Sequence, residues 1–145
     1  MATNNRTQSI VDLPGEVWKD VVGHEGKYKI SNQGRVKSLT RIRIAGRGGA
    51  QRLPEIIRVQ NTLPLGGYKF LALHDGKRSK SHRVHRLVLE AFIGPCPKGM
   101  ECRHLDGNGS NNRLENLKWG TIEENWEDKR RHGTAPIGEK TGTAD

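Results

Sequence analysis

His104, Asn116 and Asn125 are the residues of this 145-residue chain whose types and spacing could do chemistry. Histidine can take a proton from water near neutral pH, because its ordinary pKa is ~6.5. An asparagine carbonyl is an oxygen ligand of the kind that a hard cation such as Mg²⁺ prefers. Hydrolysis of a phosphodiester needs a base for water and a cation beside the leaving oxygen. The three residues therefore predict a hydrolytic site for phosphodiesters, provided that the fold brings them together.

A short β-hairpin is predicted to position the first two of these residues. Residues 101–105 are typical of a strand, and residues 116–119 are typical of a second strand. Between them, residues 106–112 are dense in the Asp, Gly, Asn and Ser that favour turns. We therefore expect His104 on the first strand and Asn116 on the second, where a polar side chain that ties the hairpin together can aim the histidine.

A helix is predicted to follow this hairpin directly. Thr121 and Glu124 have the spacing of a capping box, in which each side chain accepts a hydrogen bond from the other residue's backbone. The helix is expected to run to about Arg131 and to end at Gly133, a residue type favoured just after a helix. Asn125 then lies in the first helical turn, and the whole segment is predicted to be a β-hairpin followed by a helix.

Another hairpin and helix are predicted upstream of this segment. Residues 68–74 alternate in the manner of a strand, Asp75 and Gly76 favour a hairpin turn, and residues 79–84 provide the return strand. The apolar spacing then changes to that of an amphipathic helix, with apolar residues at Val84, Leu87, Val88, Ala91 and Phe92.

A basic alternating stretch runs from residue 35 to residue 44. Its period of two predicts a strand with one apolar face that packs inward and one basic face that points outward. These two faces carry, respectively, Val36, Thr40, Ile42 and Ile44, and Arg35, Lys37, Arg41 and Arg43. A basic ribbon of this kind fits the major groove of DNA, where Arg and Lys meet phosphates and guanine edges. An ordinary half-exposed hairpin is the alternative.

The net charge of +9 comes from one part of the chain. Residues 27–86 carry 15 basic residues against only Glu55 and Asp75, a net charge of +13. A charge of this size within 60 residues is typical of a protein that binds a polyanion, and nucleic acid is the expected partner. A solvated basic surface is the alternative, but such surfaces usually mix both signs of charge.

Composition excludes several other classes of protein. Apolar residues make up 32% of the chain, and no stretch approaches the ~18 consecutive apolar residues of a membrane span. The first ten residues are polar and lack the apolar region of a secretory signal. The two cysteines, Cys96 and Cys102, exclude a disulfide framework and an all-cysteine zinc site. We therefore expect an intracellular protein with small core clusters joined by loops.

Two parts of the chain resemble known families. The first is similar to the HNH motif of phage- and intron-encoded homing endonucleases and to the helix that precedes that motif. It is carried by HRLVLEAF at 85–92, RHLDGN at 103–108, NNRLENLKWGT at 111–121 and EN at 124–125. The second is similar to the NUMOD-type DNA-binding module and is carried by EVW at 16–18, EGKY at 25–28, SN at 31–32 and GRV at 34–36.

The HNH resemblance implies a role for each matching residue. His104 matches the general base that activates water, Asn116 the middle asparagine that braces the loop, and Asn125 a metal ligand. Arg103 departs from the pattern, because an Asp or Asn that helps to bind the metal often precedes the base. Several outcomes are then open. The metal rests on Asn125 and DNA phosphates or recruits Asp106, or Arg103 acts in catalysis by contacting the scissile phosphate, or activity is lost.

The predicted fold class is α+β, with a small antiparallel basic β-sheet module followed by a helix and a ββα-metal unit of the HNH type. The predicted divisions are a disordered N-terminus at 1–12, a NUMOD-like β-rich DNA-binding module at 13–66, an HNH nuclease domain at 67–133 with its ββα core at about 100–132, and a flexible C-terminal tail at 134–145. The predicted DNA-binding residues are Lys27, Lys29, Arg35, Lys37, Arg41, Arg43, Lys69 and Arg113.

The resemblance implies a metal-dependent endonuclease that hydrolyses duplex DNA, as a homing or phage nicking enzyme. Its expected cofactor is Mg²⁺ or Mn²⁺, and its expected partner is double-stranded DNA, with no membrane and no required protein partner. We expect it in the cytoplasm of a bacterial host, encoded by a phage or mobile element. A catalytically inactive DNA-binding protein derived from the HNH fold is the alternative. An RNA-binding module is disfavoured, since aromatic residues for stacking on single strands make up only 5% of the chain.

Overall fold

The computed structural model of the protein describes residues 10–44, 46–131 and 133. The predictions of a disordered N-terminus and a flexible tail fall largely on residues 1–9 and 134–145, which lie outside the described residues. Within the described part the chain forms short strands and two α-helices. In chain order these are β1 Trp18–Asp20, β2 Tyr28–Ser31, β3 Val36–Ser38, β4 Arg41–Ile44, β5 Ala50–Leu53, β6 Ile56–Ile57, β7 Asn61–Thr62, β8 Lys69–His74, β9 Ser79–Arg83, α1 Val84–Phe92, β10 Met100–His104, β11 Leu117–Thr121 and α2 Ile122–Arg131.

The strands form four small antiparallel sheets. The first has the order β1-β2-β3-β6, and the second has the order β7-β8-β9. The other two are the two-stranded ribbons β4-β5 and β10-β11. Short antiparallel sheets combined with separate helices confirm the predicted α+β class.

One hydrophobic core around α1 joins three of these sheets and leaves out the β4-β5 ribbon. Its buried members come from the first sheet, β8, α1 and β11, and they are Val21, Tyr28, Ile30, Val36, Leu71, Leu73, Val84, Leu87, Val88, Leu89 and Leu117. The burial of Val84, Leu87 and Val88 matches the apolar face predicted for this helix. Strand β7 pairs with β8 across the predicted division at residues 66 and 67, and the core is continuous across it. The division into two domains stays a prediction.

The basic stretch from residue 35 to residue 44 is not one strand, and this part of the prediction is wrong. Strand β3 ends at Ser38 and pairs with β2 and β6, whereas Arg41–Ile44 pairs with β5 in a separate ribbon. Ile42 and Ile44 were expected to pack inward, but they are 58% and 74% exposed. The chain leaves the first sheet at Leu39, whose N–H donates to the Lys27 carbonyl, and β4-β5 then extends with nearly all of its residues exposed.

Arg35 holds the N-terminal segment onto the first sheet. Its guanidinium donates to both carboxylate oxygens of Glu16, at 2.6 and 3.0 Å, and the Glu16 side chain is fully buried. Burial alone raises the pKa of Glu16, but hydrogen bonds from Arg35 and from the Leu13 backbone outweigh it and lower the pKa to about 2. The ion pair gives Arg35 a structural role, and its DNA-binding role stays a prediction that loses support because the guanidinium is already engaged by a buried carboxylate.

We expect Glu16→Gln to lower the free energy of unfolding near pH 7 by about 3 kcal/mol. The pKa of Glu16 is lower in the folded chain than in the unfolded one. The stabilisation is therefore fully present above pH ~4.5 and is lost as the pH falls toward 2. Urea unfolding between pH 2.5 and pH 7 tests this. The wild type should lose its advantage over the variant on acidification, while Glu127→Gln, on an exposed side chain, should track the wild type throughout. Parallel acid profiles for wild type and Glu16→Gln would contradict the assignment.

Candidate active site

A cleft beside the β10-β11 hairpin brings together two of the residues singled out from the sequence. His104, at the end of β10, and Asn125, in the first turn of α2, both line it. The remaining lining residues are Leu65, Gly66, Tyr68, Gly107, Gly109, Asp128 and Lys129. His104 is buried, with 7% of its surface exposed, so its ring is held by the protein and reaches solvent only at the cleft.

Asn112 fixes the orientation and the tautomer of His104. The Nε2 atom of His104 lies 2.8 Å from Oδ1 of Asn112, which is also buried. Because an amide oxygen can only accept, Nε2 carries the proton and Nδ1 keeps a lone pair. Burial lowers the pKa of His104 below its ordinary value, and the hydrogen bond that Nε2–H donates to Asn112 offsets part of that effect. The imidazole is therefore neutral at pH 7, which is the form that can accept a proton.

The β2–β3 turn supports Asn112 from the other side. Gly34 in this turn has a φ of +86°, and a Cβ added there would lie 3.0 Å from Cβ of Asn112 and 3.1 Å from its carbonyl oxygen. In the same turn, the carbonyl of Asn32 accepts a 2.8 Å hydrogen bond from the N–H of Leu114. The first sheet thus packs directly on the loop that orients His104.

Asn116 braces the loop between the two strands of the hairpin. Its Oδ1 accepts a hydrogen bond from the N–H of Asp106, and its Nδ2 donates to Oδ1 of Asp106 and to the carbonyl of Asn111, each at 2.9 Å. The residue ends a 3₁₀ turn, Leu114–Asn116, immediately before β11. The sequence predicts Asn116 as the first residue of the second strand, but β11 begins one residue later, at Leu117.

Asp106 belongs to the same brace and not to the cleft lining. Both of its carboxylate oxygens accept side-chain amide hydrogen bonds, one from Asn116 and one from Asn111 at 2.8 Å. Burial raises its pKa, but these bonds and the Asn108 backbone N–H hold the pKa below its ordinary value. The structure thus favours a loop-holding role for Asp106 over the metal-binding role considered from the sequence.

Glu101 determines which end of the Asn125 amide faces the cleft. The Nδ2 group of Asn125 donates a short hydrogen bond to Oε2 of Glu101 on β10. With its NH₂ group committed to this carboxylate, the amide presents Oδ1 as the end available to a ligand. This oxygen is the donor type expected of a ligand for a hard cation.

Arg103 packs onto α2, where it pairs with Asp128, one of the residues that line the cleft. Its Nε and Nη2 donate to the two carboxylate oxygens of Asp128, at 2.7 and 3.1 Å, and its side chain lies directly over Gly120. Side chains alternate along a strand, so Arg103 and His104 lie on opposite faces of β10. Arg103 therefore clamps the helix that carries Asn125, and this arrangement disfavours the expected contact with the scissile phosphate.

Asp128 is the buried half of this clamp, and sequence reasoning missed it. Its side chain is 3% exposed, and Arg131 of the same helix also donates to it. Hydrogen bonds from Arg103 lower its pKa against the effect of burial. Asn112 and Glu101 were missed as well. The signal for Asp128 is its spacing of three from Asn125, which places both side chains on one face of a helix.

Three aromatic rings form the inner wall of the site. His85, the second residue of α1, stacks edge-on against His104 with ring centroids 5.1 Å apart, and Tyr68 lies 5.6 Å from each of them. Burial, followed by the nearby His104, lowers the pKa of His85 to about 3. The inner wall therefore carries no charge near pH 7.

The predicted DNA-binding side chains of the first sheet are paired with acids. Lys29 lies 3.5 Å from Asp20, and Lys37 lies 3.7 Å from Glu55. The Lys37 ammonium also lies 4.3 Å above the ring of Trp18, and its side chain is only 13% exposed. Like Arg35, Lys37 has a structural environment, so its predicted role in DNA binding loses support.

Other predicted DNA-binding residues lie nearer to solvent. Arg41 and Arg43 occupy one face of the exposed β4-β5 ribbon, where Arg43 donates to Gln51 at 3.0 Å. The remaining three donate hydrogen bonds to exposed groups: Lys27 to the Asp75 carbonyl, Lys69 to Thr62, and Arg113 to Glu115 and Gln33. The ribbon is therefore the strongest candidate surface for a polyanion.

Comparison with known protein families identifies two motifs in this chain. Residues 82–126 match the HNH endonuclease family, and residues 16–74 match the NUMOD4 motif. The chain carries an HNH endonuclease motif behind a NUMOD4 motif. The matched HNH segment contains His104, Asn116 and Asn125, and both resemblances noted in the sequence are confirmed.

Two proteins similar to this chain come from phages. It is 33% identical over 120 residues to DNA endonuclease I-HmuI of Bacillus phage SP01, which covers 83% of this chain and 61% of that protein. It is 46% identical over 46 residues to Protein 3.8 of Escherichia phage T7, covering 32% of this chain and 38% of that protein. The chain thus spans about three fifths of the length of its phage SP01 relative.

A solved structure shares the fold of this chain. The structure of the HNH homing endonuclease I-HmuI, whose subject is DNA binding and cleavage by that protein, superposes with a TM-score of 0.63 at 32% identity. The match covers 86% of this chain and 64% of that one. Within the described residues, neither helix is both long and apolar enough to span a bilayer.

Proposed function

We propose that this chain hydrolyses phosphodiester bonds in duplex DNA and depends on a divalent cation. The observation that carries the proposal is the neutral, oriented imidazole of His104 in the same cleft as the Asn125 amide. The HNH match supports the assignment of these two residues, and the phage relatives support DNA as the substrate.

His104 acts as the general base in this proposal. Its Nδ1 takes a proton from a water molecule that attacks the phosphorus atom, and the Asn112 oxygen continues to accept from Nε2–H as the ring becomes charged. Asn116 keeps the loop, and with it Asn112, in place. The rigid brace matters because a displaced base loses alignment with the attacked phosphate.

The residues of the cleft suit a cation held mainly by substrate. Asn125 Oδ1 is the suitable protein oxygen, whereas the Asp128 carboxylate is engaged by Arg103 and Arg131. Mg²⁺ commonly keeps several waters and binds through few protein ligands together with phosphate oxygens, so one amide and the DNA backbone fit it. When bound, such an ion would offset the negative charge that develops on the leaving 3′ oxygen.

Relaxation of a supercoiled plasmid tests the proposed activity. With Mg²⁺ or Mn²⁺ the protein should convert supercoiled plasmid to nicked circles, and EDTA should stop the reaction. The product ends should carry 3′ hydroxyl groups that a polymerase extends without phosphatase treatment. Full retention of supercoiled plasmid under conditions in which the protein binds it would refute the nuclease proposal.

That last outcome would favour a second function, a DNA-binding protein that does not cut. The specific observation behind it is the Arg103–Asp128 pair, which leaves Asn125 as the main oxygen donor for a cation in the cleft. A homing role, nicking of one strand and a location in the cytoplasm of a bacterial host stay predictions, supported by the phage origin of the relatives.

The β4-β5 ribbon is proposed to provide much of the affinity for DNA. We expect Arg41→Ala/Arg43→Ala to weaken binding and to reduce the slope of log Kobs against log salt by ~2, close to one per lost phosphate contact. Fluorescence anisotropy with a labelled duplex at several salt concentrations measures this slope.

A charge-matched double variant provides the control for that measurement. Lys29→Ala/Lys37→Ala removes the same number of positive charges, but from side chains that pair with Asp20 and Glu55. It should leave the salt slope close to that of the wild type. If the two double variants reduce the slope equally, net charge and not the ribbon accounts for binding.

A further inference from the structure

A cluster of two imidazoles and one thiol lies behind the proposed base. One ring nitrogen of His85, one ring nitrogen of His104 and the Cys102 sulfur all lie within 4.8 Å of one another. Cys102 and His104 are two residues apart on β10 and so share a face, and His85 faces them from the start of α1. The fold thus brings three possible metal ligands, His85, Cys102 and His104, close together.

The donor atoms of this cluster differ from those of the proposed magnesium position. Nitrogen and sulfur ligands suit Zn²⁺ or Co²⁺, whereas Mg²⁺ takes oxygen ligands. Zinc–ligand bonds of ~2.0–2.3 Å place the ligand atoms of a tetrahedral site ~3.3–3.8 Å from one another. The three ligand atoms, now within 4.8 Å of one another, would reach that spacing if side-chain rotations moved them by about 1 Å. Burial raises the pKa of the Cys102 thiol to about 12, and an arriving ion would displace its proton, as zinc does with coordinating thiols.

A second observation, on His85 itself, indicates a missing partner. The Nδ1 atom of His85 is buried, and it makes no hydrogen bond within the part of the chain that the structure describes. Buried polar atoms are nearly always satisfied, so an unpartnered ring nitrogen on a residue of this cluster calls for a partner. Two other buried histidine nitrogens, on His24 and His82, also lack one among the described residues. A cation at the cluster would supply the missing interaction.

We propose that His85, Cys102 and His104 form a site for a borderline transition-metal ion such as Zn²⁺, with solvent as the fourth ligand. Zinc bound to a ring nitrogen of His104 ties up the imidazole and so blocks the general base. The inhibitory consequence rests on the proposed nuclease function, whereas the binding of the ion does not. The site is separate from the position at Asn125, which lies on a different element and offers oxygen.

Cobalt substitution tests the site directly. Co²⁺ added to the metal-free full chain should produce a near-ultraviolet thiolate-to-cobalt charge-transfer band together with visible bands of tetrahedral intensity. Stoichiometric Zn²⁺ should abolish the bands. A wild-type chain that shows no thiolate band with excess Co²⁺ overturns the proposal, without recourse to any variant.

The second cysteine of the chain provides a matched control. Cys102→Ser should remove the thiolate band and weaken Zn²⁺ affinity at least ~10-fold in a competition assay with a chelating dye. Cys96→Ser should change affinity less than twofold, because the Cys96 sulfur contacts the Pro97 and Met100 carbonyls instead. Equal losses in the two variants, or a band that persists in Cys102→Ser, would refute the assignment. His85→Gln, which should lose the same affinity, covers the case in which Cys102→Ser misfolds.

Inhibition of DNA cleavage by Zn²⁺ tests the metal site separately from the proposed nuclease activity. In Mg²⁺-supported cleavage, Zn²⁺ should inhibit the wild type and Cys96→Ser at concentrations at least ~10-fold lower than those that inhibit Cys102→Ser. Inhibition that is identical in all three chains refutes the blocking of His104. A cobalt band in a chain that never cuts DNA supports the metal site and refutes only the nuclease.

Discussion

Replacing His104 with alanine should lower the single-turnover rate of DNA cleavage by ~10²–10⁴-fold, the range that general-base catalysis contributes. The affinity for duplex DNA should stay within about twofold of the wild type, because His104 is buried behind the cleft and the ribbon lies on other strands. A labelled duplex, incubated with excess protein and Mg²⁺, gives the rate, and anisotropy gives the affinity. His74→Ala, on an exposed residue of β8, is the matched control and should cut at the wild-type rate.

The pH dependence of this rate distinguishes a base from a structural histidine. Burial places the pKa of His104 below ~6.5, and the reactive form is the neutral one, so the rate should rise with pH and level off before pH 7. Below that pKa the rate should fall tenfold per pH unit. His104→Ala should lack this acid limb in its residual activity. An alanine variant that cuts as fast as the wild type would remove His104 from the mechanism.

Replacing Asp128 with alanine should cost ~3–5 kcal/mol of unfolding free energy, because it leaves the Arg103 guanidinium buried without its main partner. Both side chains are largely shielded, at 16% and 3% exposed, and the two hydrogen bonds between them are bidentate. Cleavage should fall as well, since the pair holds α2 and α2 carries Asn125. Urea unfolding near pH 7 measures the stability.

An exposed ion pair on the same helix provides the comparison for Asp128. Glu127 and Arg130 lie three residues apart, and their side chains are 63% and 61% exposed. Glu127→Ala should cost less than ~1 kcal/mol, as exposed pairs usually do. Equal stability losses at Asp128 and Glu127 would contradict the clamp. Arg103→Ala that abolishes cleavage with unchanged stability would restore the phosphate-contacting role considered from the sequence.

Local patterns predicted the elements around the site well. The capping box is present, since Thr121 and Glu124 each accept the other's backbone N–H, at 3.1 and 2.8 Å. Gly133 has a φ of +70° just after α2, as a helix-ending glycine should. These features depend on neighbours within four residues, so the sequence carries them directly. The α1 helix followed from its apolar spacing for the same reason.

The partners of charged side chains could not be predicted in this way. Arg35 and Lys37 alternate with apolar residues just as Arg41 and Arg43 do, yet the first two meet acids and the last two lie on an exposed ribbon. The difference arises because Glu16 and Glu55 reach β3 from segments distant in sequence. Arg103 is a similar case, since its partner lies 25 residues away on α2. The period of the sequence pattern assigns a side chain to one face of its strand. Which other segment covers that face depends on tertiary packing.

The close contact between Gly34 and Asn112 constrains how such genes can evolve. A glycine in the first sheet leaves the space that Asn112 occupies, and any side chain there would press on the residue that aims His104. Recombination that exchanged only the N-terminal half for one with new target preference would have to bring a matching glycine turn with it. Both halves should therefore be inherited together, and shuffling should succeed only among donors that retain this turn.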